Sequence, residues 1–97
     1  MPQTGSRSTG VALNKPSGTI TLVSAAGTST WQSFTLTNSF IAENDSPIVV
    51  QKSGTDLYEI HVTNVVNGSC RISFRTTGGT TTEQPVFKFE VLKGSAA

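Results

Sequence analysis

The chain has 97 residues and a formal net charge of +1, and charged residues make up only 13% of it. It contains 15 Thr, 12 Ser and 9 Gly. Thr favours the pleated surface of a sheet, and residues that favour helices are scarce, which excludes a helical bundle or coiled coil. A nearly neutral chain lacks the basic face that nucleic-acid binding needs, and no apolar run approaches the roughly twenty residues that span a membrane. We therefore expect an all-β domain that binds neither nucleic acid nor membrane.

The first part of the chain predicts a flexible N-terminal arm. Residues 1–10 include one apolar residue, Met1, and cannot bury enough apolar surface to offset the entropy of ordering them. Residues 11–13 then form either a short strand or an anchoring hook. The predicted organisation is an arm at residues 1–17, a β-sandwich domain at 18–93 and a frayed tail at 94–97.

Short segments of alternating apolar and polar residues recur about every ten residues along the rest of the chain. In one of them Cys70, Ile72 and Phe74 alternate with polar residues, so we expect these three side chains to face the core. The run 48–50 is apolar at every position, which predicts a strand that is buried on both faces or lies near a bulge. The predicted strands are residues 19–23, 30–38, 47–51, 57–66, 69–76 and 85–93.

The pair Asn67-Gly68 lies between two of these strands and is the strongest hairpin signal in the chain. It predicts a type I′ turn, which needs positive φ at both central residues. Several short strands, each with one apolar face, are typical of a sandwich of antiparallel sheets. The predicted fold is all-β, an antiparallel, jelly-roll-like β-sandwich of six to seven short strands with an extended N-terminal arm.

Residues with catalytic or metal-binding chemistry are few. His61, the single histidine, lies on the polar face of its strand, where a solvated cross-strand residue is favoured over a general base. Cys70, on the core side, is expected to behave as a small hydrophobe. One Cys and one His cannot supply the four ligands of a zinc site, and the sequence has no calcium-binding loop pattern. We therefore expect no enzymatic activity, no catalytic residues, no metal and no cofactor.

Three further side chains leave alternatives open. Arg71 and Arg75 share a strand face, and they either bind an anionic partner or pair with Glu59 across the hairpin. Pairing is favoured because it needs nothing beyond the hairpin itself. Trp31, the sole tryptophan, is expected to be part of a lid over the core, and the alternative is an anchor in a protein interface, where tryptophan is enriched. Strand faces made of Thr, Ser, Asn and Gln favour contact with protein, because few charges need desolvating.

Four stretches of strand and turn residues carry a family resemblance. They are residues 10–21 (GVALNKPSGTIT), 34–39 (FTLTNS), 58–73 (YEIHVTNVVNGSCRIS) and 86–94 (VFKFEVLKG). Together they resemble small structural proteins and domains of tailed bacteriophages. Cys70 stands where this family usually has an aromatic residue, so the position keeps its burial and loses volume. The resemblance implies a β-sandwich virion component, such as a capsid decoration protein or a domain of a head or tail fibre.

The sequence shows no fibrous shaft, heptads or collagen-like repeat, which favours a capsid cement (decoration) protein over a fibre tip. The resemblance then implies a chain made in the host bacterial cytoplasm that binds the major capsid protein non-covalently on the outer capsid surface of the virion. Because a domain of this size is marginally stable alone, we expect a homo-oligomer, a trimer or else a dimer. The alternative is a head- or tail-fibre tip that binds host surface polysaccharide through Trp31, Phe40 and Asp56. The predicted residues of the capsid or subunit interface are Arg7, Val11, Leu13, Lys15, Trp31 and Phe40.

Overall fold

The computed structural model describes residues 2–93, which are built from nine strands. The frayed tail predicted at 94–97 lies outside the described residues. Because residues 2–93 contain no helix, none is long and apolar enough to cross a bilayer. The strands are β1 (Val11–Ala12), β2 (Ser17–Thr21), β3 (Ala25–Ala26), β4 (Gln32–Thr37), β5 (Ser46–Ser53), β6 (Tyr58–Val66), β7 (Ser69–Thr76), β8 (Thr82–Glu83) and β9 (Val86–Leu92).

The longer strands form two sheets. One has four strands in the order β1-β4-β7-β6, and the other has three in the order β2-β9-β5. The short strands β3 and β8 pair in a separate two-stranded sheet. β1 is parallel to β4, and the other paired strands are antiparallel. The fold is therefore all-β and sandwich-like, as the alternation of apolar and polar residues predicted.

The core is built from side chains of both larger sheets. Cys70, Ile72 and Phe74 of β7 are buried, as predicted, and Phe87 and Phe89 of β9 are buried with them. The rings of Phe74 and Phe87, one from each sheet, meet edge to face with centroids 5.6 Å apart. Aromatic pairs of this geometry stabilise a core beyond the area that they bury. Aromatic contacts therefore join the two sheets within a core that also contains aliphatic side chains of both.

The hairpin between β6 and β7 forms at Asn67-Gly68 as predicted, but its turn is not type I′. Gly68 has φ of 89°, whereas Asn64 is the one non-glycine residue with positive φ among residues 2–93. Asn64 lies where the β6–β7 register shifts, between Thr63 and Val66, so the extra residue is taken up in a bulge before the turn. The Gly68 N–H donates to the carbonyl oxygen of Ile41 at 2.8 Å, which ties the turn to a neighbouring loop.

The apolar run in β5 is not buried on both faces. Val49 packs against the core, but the side chains of Ile48 and Val50 are 45% and 51% exposed. The run instead lies near a bulge, which was the other alternative, because the pairing of β5 with β9 shifts register between Gln51 and Ser53. The side chains of β5 therefore alternate normally, and the outer half of the run lies on the surface.

The N-terminal segment is folded against the domain and does not extend from it as an arm. Pro2 bridges Thr21 of β2, and the Gln3 N–H donates to the Thr21 carbonyl oxygen at 2.7 Å. Gln3 and Arg7 are 6% and 3% exposed. The expectation of an arm rested on the lack of apolar residues, but polar side chains anchor this segment through hydrogen bonds to backbone carbonyls.

Arg7 makes the most connected of these anchors. Its Nε donates to the Val23 carbonyl oxygen at 2.9 Å, and its Nη2 donates to those of Ala25 and Glu83, both at 2.7 Å. Its Nη1 donates to the Tyr58 hydroxyl at 3.2 Å. One side chain therefore joins the N-terminal segment to β3, β8 and β6.

We predict that Arg7→Ala lowers the free energy of unfolding by about 3 kcal/mol, because it leaves several partly buried carbonyls without a donor. Urea denaturation followed by Trp31 fluorescence measures the change. Lys15→Ala is the matched control, since it removes an exposed cation from a nearby part of the chain and should change stability by less than about 0.5 kcal/mol. Equal stability of the two variants would contradict the anchoring role of Arg7.

Burial raises the pKa of the Cys70 thiol from its ordinary 9.0 to about 11, because the core solvates the thiolate poorly. Between these pH values the unfolded chain releases the proton and the folded chain keeps it, so the free energy of unfolding should fall as the pH rises. Below this window the thiol contributes no pH dependence. Urea denaturation at a series of pH values should show a shallower fall for Cys70→Ala than for the parent chain, and identical slopes would count against the assignment.

Candidate interaction surfaces

The six residues predicted to form an interface do not lie on one surface. Arg7 and Val11 are buried within the chain itself, and Leu13 is partly buried against the core. Trp31 and Phe40 are 44% and 46% exposed, but they lie at opposite ends of β4. Of the six, the exposed members are Lys15, Trp31 and Phe40.

Trp31 lies on the outer face of the four-stranded sheet, where neighbouring side chains hold it in place. The guanidinium carbon of Arg75 lies 4.6 Å from the centroid of the indole ring. The ring of His61 meets the indole edge to face, with centroids 5.3 Å apart. A guanidinium over an indole contributes about 0.5–1 kcal/mol at an exposed site. Trp31 is therefore exposed and oriented, and the expectation of a lid over the core is wrong.

Arg75 is itself held by Glu59 on β6. Its Nη2 and Nε lie 3.1 and 3.2 Å from the same carboxylate oxygen, and the two residues are register partners in the β6–β7 pair. The predicted pairing of Arg75 with Glu59 is confirmed. An exposed ion pair adds roughly 0–1 kcal/mol of stability, so its main effect here is to fix the guanidinium over Trp31.

Apart from Arg71 and His61, the rest of this outer face carries short hydroxyl side chains. Ser33, Ser73 and His61 lie side by side across β4, β7 and β6 in the row next to the Arg75–Glu59 pair. The following row contains Thr35, Arg71 and Thr63. We refer to this surface, which consists of Trp31, the Arg75–Glu59 pair and these two rows, as the tryptophan face.

A second exposed surface lies on the three-stranded sheet. Ile48 and Val50 of β5 are exposed, and they pair in register with Glu90 and Lys88 of β9. The side chains of Lys88 and Glu90 form an exposed ion pair of 3.5 Å. We call Ile48 and Val50, with the backbone edge of β5 beside them, the β5 edge. The apolar run in the sequence predicted the strand β5, but it did not predict that Ile48 and Val50 are exposed.

Asp56, a candidate for sugar binding in the sequence, is used inside the fold. Its carboxylate accepts hydrogen bonds from the N–H and the hydroxyl of Thr81, both at 2.9 Å. Gly79 lies so close to this carboxylate that an added Cβ would clash with it, which explains the glycine at that position. Trp31, Phe40 and Asp56 therefore do not converge on a single polysaccharide site.

The titratable groups of the described chain do not form a shared centre. Cys70 lies in the core, whereas His61 lies on the tryptophan face. Within residues 2–93 there is no group of three or more His, Cys, Asp or Glu side chains placed to hold a metal ion, and no ligand-sized cavity was found in that range. The surfaces of interest are accordingly open faces.

We predict that Arg75→Ala makes Trp31 more accessible to acrylamide, because the guanidinium that covers one face of the indole is removed. The quenching constant of the single tryptophan measures this accessibility. Arg71→Ala is the matched control, since Arg71 lies on the same strand face in the row of Thr35 and Thr63. If both variants raise the quenching constant equally, Arg75 does not hold the indole.

Comparison with known proteins leaves both surfaces to be interpreted from their own geometry. The chain matches no protein-family model, no curated protein sequence and no solved structure. The tryptophan face, the β5 edge and the motif resemblance are therefore the observations that bear on function.

Proposed function

We propose that this chain is a structural protein of a tailed-phage virion, a capsid cement protein that binds neighbouring subunits of the major capsid protein on the outer shell. The observation that carries the proposal is the oriented, exposed Trp31 on a sheet face made mostly of hydroxyl side chains. The motif resemblance in residues 10–94 supports the choice of a virion as the setting. We also propose that the strands are connected as in a jelly roll and that copies of the chain assemble into a homo-oligomer.

An oriented tryptophan favours protein binding for an entropic reason. Binding costs about 0.5–1.5 kcal/mol for each flexible side chain that is immobilised, and Trp31 is already held by Arg75 and His61 before a partner arrives. Tryptophan is also enriched among the few residues that supply most of the affinity of an interface. Trp31 therefore has the properties of an interface anchor.

The surroundings of Trp31 reduce the desolvation cost of being covered. Ser33, Thr35 and Ser73 present hydroxyl groups, which a protein partner can satisfy with hydrogen bonds. The charge of Arg75 is already paired with Glu59. A contact centred on Trp31, away from the row of Arg71, therefore requires little removal of unpaired charge from water.

A second exposed aromatic side chain lies at the other end of β4. Phe40 follows the strand, and its carbonyl oxygen accepts a hydrogen bond of 2.8 Å from the Nζ of Lys93. The six residues of β4 span about 20 Å between Trp31 and Phe40. Anchors separated in this way fit a protein that contacts two neighbouring subunits at once, which is what a cement protein does.

Co-sedimentation with phage shells that lack this protein tests the proposal. The parent chain should bind the shells, and Trp31→Ala should weaken binding by at least about tenfold, which corresponds to about 1.4 kcal/mol. Leu92→Ala is the matched control, because Leu92 is 50% exposed but belongs to the three-stranded sheet. Failure of the parent chain to bind, or full binding by Trp31→Ala, would refute the proposal.

One feature favours the second candidate function, a fibre-tip module that binds host surface polysaccharide. Trp31 offers an aromatic platform, and Glu59, His61 and Arg75 place polar groups around it, a combination that suits the apolar face and hydroxyls of a sugar. Titration of the same variants with purified host polysaccharide separates the two candidates. Binding to polysaccharide that depends on Trp31, without binding to shells, would support the fibre tip.

A further inference from the structure

The sandwich has four sheet edges, and β5 is the one that combines a long regular strand with apolar outward side chains. On the four-stranded sheet, β1 has only two residues, and β6, which is regular from Tyr58 to Thr63 before its bulge, carries the polar side chains of Glu59, His61 and Thr63 on its outer face. On the three-stranded sheet, the edge of β2 is covered by Pro2 and Gln3. The fourth edge, β5, is eight residues long and is regular from Ser46 to Gln51. A long, regular edge with apolar side chains is a template for pairing with another strand.

The orientation of the free backbone groups on β5 follows from the bonds of β9. The Val91 N–H donates to the Pro16 carbonyl oxygen at 2.8 Å, so odd-numbered residues of β9 direct their backbone groups toward β2. Even-numbered residues, including Lys88 and Glu90, therefore bond to β5 through their register partners Val50 and Ile48. The N–H and C=O of Val49, between them, point away from β9 into the free edge.

We infer that the β5 edge pairs with the β5 edge of a second copy of this chain, antiparallel and with Val49 opposite Val49 of the other copy. In this register the two Val49 residues exchange two backbone hydrogen bonds. The Gln51 N–H of each copy donates to the Pro47 carbonyl oxygen of the other. Pro47 has no N–H, so it acts only as an acceptor in this register. The two-fold pairing therefore forms four hydrogen bonds, two between the Val49 residues and one from each Gln51.

The outward side chains of β5 match this register. Ile48 of each copy lies opposite Val50 of the other, so four β-branched side chains form one apolar cluster across the axis. Across the paired strands, each Ile48–Val50 pair is flanked by Glu90 of one copy, next to Ile48, and by Lys88 of the other copy, next to Val50. Lys52 lies opposite Ser46, so no like charges face each other along the paired strands. The edge is thus complementary to itself in hydrogen bonding, shape and charge.

This pairing specifies a contact for the homo-oligomeric state in the proposed function, but its test needs only copies of the chain in solution and is separate from binding to shells. Sedimentation equilibrium should detect a dimer, and Val50→Lys should raise its dissociation constant by at least about tenfold. Val66→Lys is the matched control, since Val66 is 50% exposed but lies on β6. A parent chain that remains monomeric up to about 1 mM, or equal effects of the two variants, would overturn the inference.

Cross-linking tests the register separately. Ile48 and Val50 of opposite copies form a non-hydrogen-bonded pair, in which Cβ atoms are close enough for a disulfide. The double variant Ile48→Cys/Val50→Cys should oxidise to a covalent dimer much faster than Ile48→Cys or Val50→Cys alone. Buried Cys70 remains unchanged in every variant. Equal rates for the three variants would exclude this register, and a trimer by sedimentation would exclude a two-fold edge.

Discussion

The hydrogen bonds of Arg7 are the constraint on which the arrangement of the small strands and the N-terminal segment depends. A guanidinium that is almost completely buried must have its donors satisfied, and carbonyl oxygens of Val23, Ala25 and Glu83 supply that need. β3 and β8 have two residues each and could not define their own positions. Carbonyls of both strands accept hydrogen bonds from Arg7, so one side chain ties the two short strands to the N-terminal segment.

Tyr58 connects this polar network to the aromatic core. Its hydroxyl accepts a hydrogen bond from Arg7, and its ring packs edge to face on Phe87 at 5.6 Å. Burial raises the pKa of Tyr58, and the positive charge of Arg7 acts in the opposite direction. The tyrosine is thus held neutral where the two regions meet. The folded N-terminal segment and the aromatic core consequently stabilise each other.

The strands of the sandwich could be predicted from the sequence because their side chains obey a simple alternation. Ile72 and Phe74 illustrate this, as does the pairing of Arg75 with Glu59 once the hairpin is recognised. The burial of Arg7 could not be predicted, since hydrophobic patterns do not register a polar segment that is held by hydrogen bonds. The contact of Arg75 with Trp31 depends on side-chain rotamers, so the sequence did not predict that Trp31 is held on the outer face rather than over the core.

The two proposed surfaces lie on different sheets, and their relation bears on how the chain would act. An antiparallel pair within one sheet has its two-fold axis perpendicular to that sheet, so both copies turn the same face to the same side. Pairing along the β5 edge would place both copies of Trp31 on one side of the dimer. Two anchors on a rigid body bind neighbouring sites with an effective concentration that a single anchor lacks. Edge pairing would therefore convert a modest contact on the tryptophan face into the bivalent attachment that a cement protein requires.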